Sequence, residues 1–384
     1  MQSIGNDSSI RIRSDYKRTL LLNGFGISIK VLDKRLIITN GKDRLYPDNQ
    51  YQRIVLTDHA DFDKIVIVGT GAISFNALQW LTEWNINVIM LDGRGRLYGS
   101  FNQISGNTEP LIRMKQYECF MNDTARQDYL RKWIVSSKIT AQIMLMRELE
   151  FDTEYMEKQY ALLNTLSKNT LRKISAIESH VSKAYYSNLA ILFDRINPEL
   201  GFKTRINPMT MRKNEATDII NALLNYGFAI LQSEVGKQLN ALGLDCDVGF
   251  LHVNHDNHVP LIWDMMEPFR YLIDKSVIAI AKEVNTKQDY CFRIGNPSYP
   301  FKSGSPFNRW LIVSSDLKKR YVAMLTAILQ SKRYQRTDKS GMKTDEGYQK
   351  MEEITIMKIK CIELRDYIIG RRKTLSQPPE ILLE

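Results

Sequence analysis

G-L-D-C-D-V-G-F-L-H-V-N-H-D-N-H-V-P-L-I-W-D-M-M-E-P-F-R, residues Gly243 to Arg270, holds the densest chemistry in the chain and marks where loop gives way to helix. His252 follows a turn flanked by Val248, Phe250 and Leu251, and Pro260 opens a helical pattern that carries Asp264 and Glu267 three residues apart. On a helix, residues three apart share a face, so the two carboxylates point the same way, with Arg270 one further turn along. An imidazole beside carboxylates is a donor set suited to a divalent cation, manganese or magnesium. That combination points to phosphodiester chemistry.

Downstream of Glu109 the apolar residues recur at three and four, the helical period. The spacing predicts helices over Leu111 to Asn122, Thr124 to Glu150, Glu154 to Lys168, Asn169 to Phe193, Glu215 to Leu242, Pro260 to Val284, Ser314 to Ser331 and Tyr348 to Arg372. Asp289 to Phe307 reads as a loop or short hairpin, Arg336 to Glu346 as a mobile basic loop, and the tail after Ser376 as irregular.

Upstream the pattern is different. Short runs rich in Ile, Val and Leu predict strands over Thr19 to Leu22, Ile27 to Leu32, Arg35 to Thr39, Arg53 to Thr57, Lys64 to Val68, Asn87 to Leu91 and Arg96 to Phe101. Asn23-Gly24, Asn40-Gly41 and Asp92-Gly93 are dipeptides that supply the positive φ of tight turns. One helix, Ala72 to Glu83, interrupts them. The fold class is therefore α+β: a β-rich domain over residues 1–106, then a larger all-helical catalytic domain over 107–384. A length of 384 residues agrees with two domains.

The net charge of +10 favours a polyanionic partner, nucleic acid first and an anionic membrane surface second, although it is also compatible with ordinary solubility charge. Four scattered cysteines form no C-x-x-C pair, which argues against a zinc ribbon or a disulfide framework. Neither a leader nor a membrane span is readable, so the expected compartment is the cytoplasm.

Several motifs carry less than they suggest. Val66-Ile67-Val68-Gly69-Thr70-Gly71 imitates a dinucleotide fingerprint, but Ser74 stands where the third glycine belongs; a tight strand-to-helix turn is the better reading. His252, His255 and His258 have zinc-like spacing in a loop without fixed geometry, and His255 and His258 read as solvated. Glu178 lies beside the apolar face made by Ile174, Ile177, Val181 and Tyr185, where a charge either reaches water or finds a partner. Basic residues mingle with aromatics at Arg309-Trp310, at Lys318-Lys319-Arg320-Tyr321 and from Lys332 to Arg336. Such clusters neutralise phosphates and offer stacking faces, or are simply solvated.

Read together, four motifs in order resemble the CRISPR-associated adaptation integrase family: A-I-E-S-H-V-S-K-A-Y-Y around Glu178, N-A-L-L-N-Y-G-F-A-I-L from Asn221 to Leu231, the segment Gly243 to His252, and D-M-M-E-P-F-R from Asp264 to Arg270. R-M-K-Q-Y from Arg113 to Tyr117 and K-I-T-A-Q from Lys138 to Gln142 agree more softly. Ala176 and Ser179 replace the family's usual glycines, and the loop after His252 is unusually rich in histidine. The resemblance implies a metal-dependent DNA endonuclease that inserts spacers into a CRISPR array. Its implied metal ligands are Glu178, His252 and Glu267, holding Mg²⁺ or Mn²⁺, with Asp264 a catalytic carboxylate that binds a second ion or orients water. Arg212 and Arg270 would hold phosphate or brace the carboxylates. The partners implied are double-stranded DNA, a second copy joined through the β-rich domain, and a small dimeric protein bridging two such dimers. Three alternatives stand: the related integrase of self-synthesising mobile elements, a DNA-binding scaffold without turnover, and, last of the three, a zinc hydrolase built on the three-histidine loop.

Overall fold

A computed structural model describes residues 18–42, 53–57, 60–93, 95–101, 110–166, 171–205, 216–252, 259–294, 309–336 and 348–376. Arg212, His255, His258, the loop 337–346 and the tail beyond Ser376 lie outside them, as do 102–109, where the expected domain boundary falls.

Six strands, β1 (Arg18–Leu32), β2 (Arg35–Thr39), β3 (Arg53–Leu56), β4 (Phe62–Ile73), β5 (Asn87–Leu91) and β6 (Leu97–Phe101), form one sheet in the order β3-β2-β1-β4-β5-β6. β1 runs parallel to β4 and β4 to β5, while the outer pairs are antiparallel. Helix α1 (Phe75–Glu83) makes the β4–β5 crossover, opened by Ser74, whose side chain accepts from the Ala77 amide.

Two expectations change here. Asn23-Gly24 is not a reversal: β1 continues through it as one strand, with Gly24 and Gly26 at φ of 99° and 76° and a register shift between Phe25 and Ile27. The positive φ serves a bulge. Gly69 and Gly71 then belong to β4 and not to a strand-to-helix turn. A Cβ at Gly69 would lie 2.0 Å from the Gly24 carbonyl oxygen, and one at Gly71 would lie 1.9 Å from that of Ile27. Close approach of β1 explains that G-x-G.

The rest is mostly helical: α2 (Pro110–Asn122), α3 (Thr124–Glu148), α4 (Glu154–Thr165), α5 (Leu171–Ile196), α6 (Ile219–Ala241), α7 (Pro260–Met266), α8 (Arg270–Ala281), α9 (Ser315–Leu329) and α10 (Glu353–Ile368). It is not all-helical. β7 (Tyr290–Ile294), in the segment read as a loop or short hairpin, pairs with β8 (Arg309–Val313) beyond that segment, and β9 (Lys332–Arg336) pairs with β10 (Tyr348–Glu352), the latter where helix was expected. Pro268 breaks the expected helix from Pro260 to Val284 into α7, a 3-10 turn Glu267–Phe269 and α8, because proline has no N–H to give the preceding turn.

One face of the sheet, through Leu21, Val66, Val68, Ile89 and Leu91, shares the core of the helices; the other packs against α1 through Ile27, Ile29, Ala77 and Leu81. Polar contacts cross the shared side. Lys64 pairs with Glu234 of α6 at 2.5 Å, and Tyr226 donates to the Gly93 carbonyl at 3.0 Å. All four cysteines are unpaired. Among the described residues no helix is long and apolar enough to cross a membrane.

Candidate active site

Glu178, Glu267, His252 and Asp264 arrive from α5, the 3-10 turn, the loop after α6 and α7. The loop is fixed before it reaches His252. Gln116 of α2, fully buried, donates to the Asp245 and Val248 carbonyls at 2.8 and 3.0 Å and accepts from the Asp245 amide at 2.8 Å. Arg131 of α3 donates to the Phe250 carbonyl at 2.8 Å. Gly249 lies so close to α7 that a Cβ there would meet Pro260 Cβ at 2.6 Å.

Asp264 is completely buried and saturated. Oδ2 accepts from the amides of Phe250 (2.5 Å) and Leu251 (3.0 Å); Oδ1 accepts from the His252 amide (2.9 Å) and lies 2.7 Å from His252 Nδ1. The reading of Asp264 as a binder of a second ion or an orienter of water is therefore replaced: it holds His252. A carboxylate on one ring nitrogen fixes the imidazole so that the other nitrogen faces the ligand. Here that nitrogen, Nε2, stands 3.8 Å from Glu267 Oε1.

Glu267 is almost fully buried and nevertheless acidic. Burial favours its neutral form, but the Arg270 guanidinium and the Lys138 ammonium outweigh burial and bring its carboxyl down to about 2. Arg270 Nη1 donates to Oε1 at 2.7 Å, its guanidinium 4.6 Å from the Phe228 ring centroid. Lys138 Nζ lies 2.9 Å from Oε2 and also contacts Glu178 Oε1, which accepts from Ser182 at 3.1 Å. Glu178 too is held below the usual carboxylate range: burial opposes this, and Lys138 prevails.

These residues suit a divalent cation. Two carboxylates and an imidazole are the donor types such ions take, and one positive charge already stands between the carboxylates, with Lys138 Nζ 2.9 Å from the buried Glu267 Oε2. Among the described residues no three ligating side chains converge into a finished cage. The Lys138 ammonium bridges Glu178 and Glu267 instead.

The family model for CRISPR associated protein Cas1 matches residues 20–295. This chain belongs to the Cas1 family. "CRISPR-associated protein Cas1 3" of Methanobrevibacter ruminantium is 31% identical over 284 residues, covering 70% of this chain and 78% of the relative. "CRISPR-associated endonuclease Cas1 1" of Archaeoglobus fulgidus is 28% identical over 297 residues, covering 71% and 80%. Among solved structures, a casposase bound to integration product superposes with a TM-score of 0.76 at 24% identity, covering 94% of both chains; that likeness concerns the fold.

Within this Cas1 chain the expected DNA contacts divide. Arg270 braces Glu267. Lys318 is withdrawn as a DNA contact: it is buried, donates to Asn23 Oδ1 at 2.8 Å and fastens α9 to β1. Arg320 is clamped by Asp289 and Asp316 at 2.7 and 2.8 Å. Lys319 is exposed on α9, and Arg309 begins β8. Sequence reasoning gave no role to Lys138 or Gln116. A lysine inside the apolar run Trp133 to Met146 was the available signal, since a buried charge requires a partner.

Proposed function

We propose that this Cas1 family chain is a metal-dependent DNA endonuclease and integrase that joins new spacer DNA to a CRISPR array by 3′-hydroxyl attack on a phosphodiester. The observation that carries this reading is the Lys138 ammonium set between Glu178 and Glu267, with His252 Nε2 3.8 Å from the other oxygen of Glu267. Glu178, His252 and Glu267 would hold Mg²⁺ or Mn²⁺, which when bound supplies Lewis-acid stabilisation of the phosphoryl charge and activates the attacking hydroxyl or water. The protein's own work is positional. Asp264 keeps His252 Nδ1 occupied so that Nε2 faces the ligand, and Arg270 fixes Oε1 of Glu267 while Oε2 faces the Lys138 ammonium. Attack by a DNA 3′-hydroxyl gives joining; attack by water at the same site gives nicking.

The rest of the proposal is organisational. Residues 1–106 form the part through which two copies pair, residues 107–384 carry the chemistry, and a small dimeric partner bridges two pairs on double-stranded DNA in the cytoplasm. Exposed Lys319, with Arg309 and Arg212, would contact that DNA.

The test is incubation with supercoiled plasmid and a short duplex bearing free 3′-hydroxyls, in Mn²⁺, Mg²⁺ or EDTA, beside Glu178→Ala and His252→Ala. We expect metal-dependent joining that both variants lose while remaining folded. Retained joining by Glu178→Ala removes Glu178 from the ligand set. Binding without nicking or joining, even with the partner added, favours a scaffold, and a preference for terminal inverted repeats over a repeat array favours a mobile-element integrase.

A further inference from the structure

Lys138 is the least expected member of the site. It rises from the middle of α3 with only 9% of its surface exposed, and its ammonium touches one carboxylate oxygen from α5 and one from the 3-10 turn after α7. An ammonium and a divalent cation make the same demand on those oxygens: each needs the negative charge of Glu178 and Glu267, and the two cannot occupy one position. Two carboxylates brought this close without a cation repel each other in a low-dielectric setting. A cation between them, or a proton on one of them, relieves that repulsion when the metal is away, and here the ammonium of Lys138 stands between them.

We infer that Lys138 is a built-in counter-cation that holds Glu178 and Glu267 together before metal binds and is displaced from between them when metal enters. This rests on the ligand set given under Proposed function and adds an exchange to it. Two features support the exchange over a permanent bridge. Glu267 keeps a second, directional brace in Arg270, and Glu178 keeps one in Ser182, so neither carboxylate is left unsupported when the ammonium leaves. Lysine is also the right kind of tenant, a point charge on a flexible four-carbon stem that can swing aside without backbone movement.

Two consequences follow. Metal affinity is lowered by the need to expel the ammonium, and the expelled ammonium, now beside the metal site, takes a DNA phosphate as its new counter-ion. Metal and DNA then each raise the affinity for the other, since linkage between two ligands is reciprocal.

The experiment is Mn²⁺ titration followed by electron paramagnetic resonance on wild type, Lys138→Met and Glu178→Gln, with and without a short duplex. We expect Lys138→Met to bind Mn²⁺ tighter by about tenfold and to lose most of the wild type's duplex-induced gain. Unchanged or weaker Mn²⁺ binding by Lys138→Met would overturn the exchange while leaving the ligand set standing. No Mn²⁺ binding by wild type, or equal binding by Glu178→Gln, removes the ligand set itself and the exchange with it. A second readout uses wild type alone and does not depend on the variant folding: acetylation of lysines by an N-hydroxysuccinimide ester, quantified by peptide mass spectrometry with exposed Lys319 as reference. Lys138 is expected to be protected in EDTA and labelled several-fold more in Mn²⁺; equal labelling in both overturns the displacement.

Discussion

Both oxygens of Asp264 are committed to the chain around them, and this decides what its amide would do. In Asp264→Asn one oxygen becomes an NH₂ facing donors, so His252 loses its orientation while the backbone turn loses at least one bond. We expect Mn²⁺ affinity or strand joining to fall by about 10- to 100-fold, measured by titration and the plasmid assay; wild-type values would mean that His252 is held by other means. A second buried carboxyl behaves oppositely. Asp274 of α8 accepts from the Tyr185 hydroxyl at 2.7 Å, and burial pushes its carboxyl up to about 6. Because the folded chain holds this proton more tightly than the unfolded one, its stabilising contribution is complete below about pH 4 and disappears as pH rises through about 6. Asp274→Asn mimics the protonated form. It should therefore be neutral at pH 4 and more stable than wild type by about 3 kcal/mol at pH 8 in urea unfolding. Equal stability differences at the two pH values would mean that Asp274 ionises in the fold without cost. At this scale the sequence was uneven. The run from Asp264 to Arg270 displayed its chemistry openly, whereas by periodicity Glu178 was a charge at the margin of an apolar face and became a ligand candidate only through the family resemblance; its partner Lys138 lies 40 residues away.

Helix α6 shows how tightly the elements are pressed together around the site. Its Gly227 faces α8 and α9 so closely that a Cβ would meet the Tyr321 hydroxyl at 2.2 Å and Ile273 Cγ2 at 2.4 Å. Gly227→Ala should favour the isolated helix yet destabilise the protein by about 1–3 kcal/mol, read from chemical denaturation; a stabilised variant would show that α6 can retreat without loss. Helical periodicity located most of these elements because a helix is a local object. The break at Pro268 was missed, since the period continues across it from Pro260 to Val284, and the turn that proline creates is what carries Glu267. β10 was not legible. Its hydrogen-bonding partner β9 lies across residues 337–347, and no local spacing reveals a pairing of that kind. The same limit hid the continuity of β1, since a glycine needed for a bulge and one needed for a reversal look alike in sequence.

For the molecule as a whole, the sheet and the helices are joined by a buried ion pair. Removing Glu234 alone leaves Lys64 charged and buried, and we expect Glu234→Ala to cost about 3–5 kcal/mol, whereas Lys64→Met with Glu234→Leu should be nearly neutral. Urea midpoints of the three proteins decide this; if the single and double variants fall equally, the pair matters through shape and not charge. The α+β class was readable from the change of period near Glu109, but the shared core was not, because it depends on which face of the sheet the helices cover. The site shares that dependence on distant parts. Lys138, Glu178, His252 and Glu267 come from four separate stretches of chain, and the last of them is made only after about two thirds of the protein has been synthesised. A nascent or clipped chain ending short of Glu267 therefore lacks one side of the proposed metal site, so the activity proposed for that site waits on synthesis of this part of the chain.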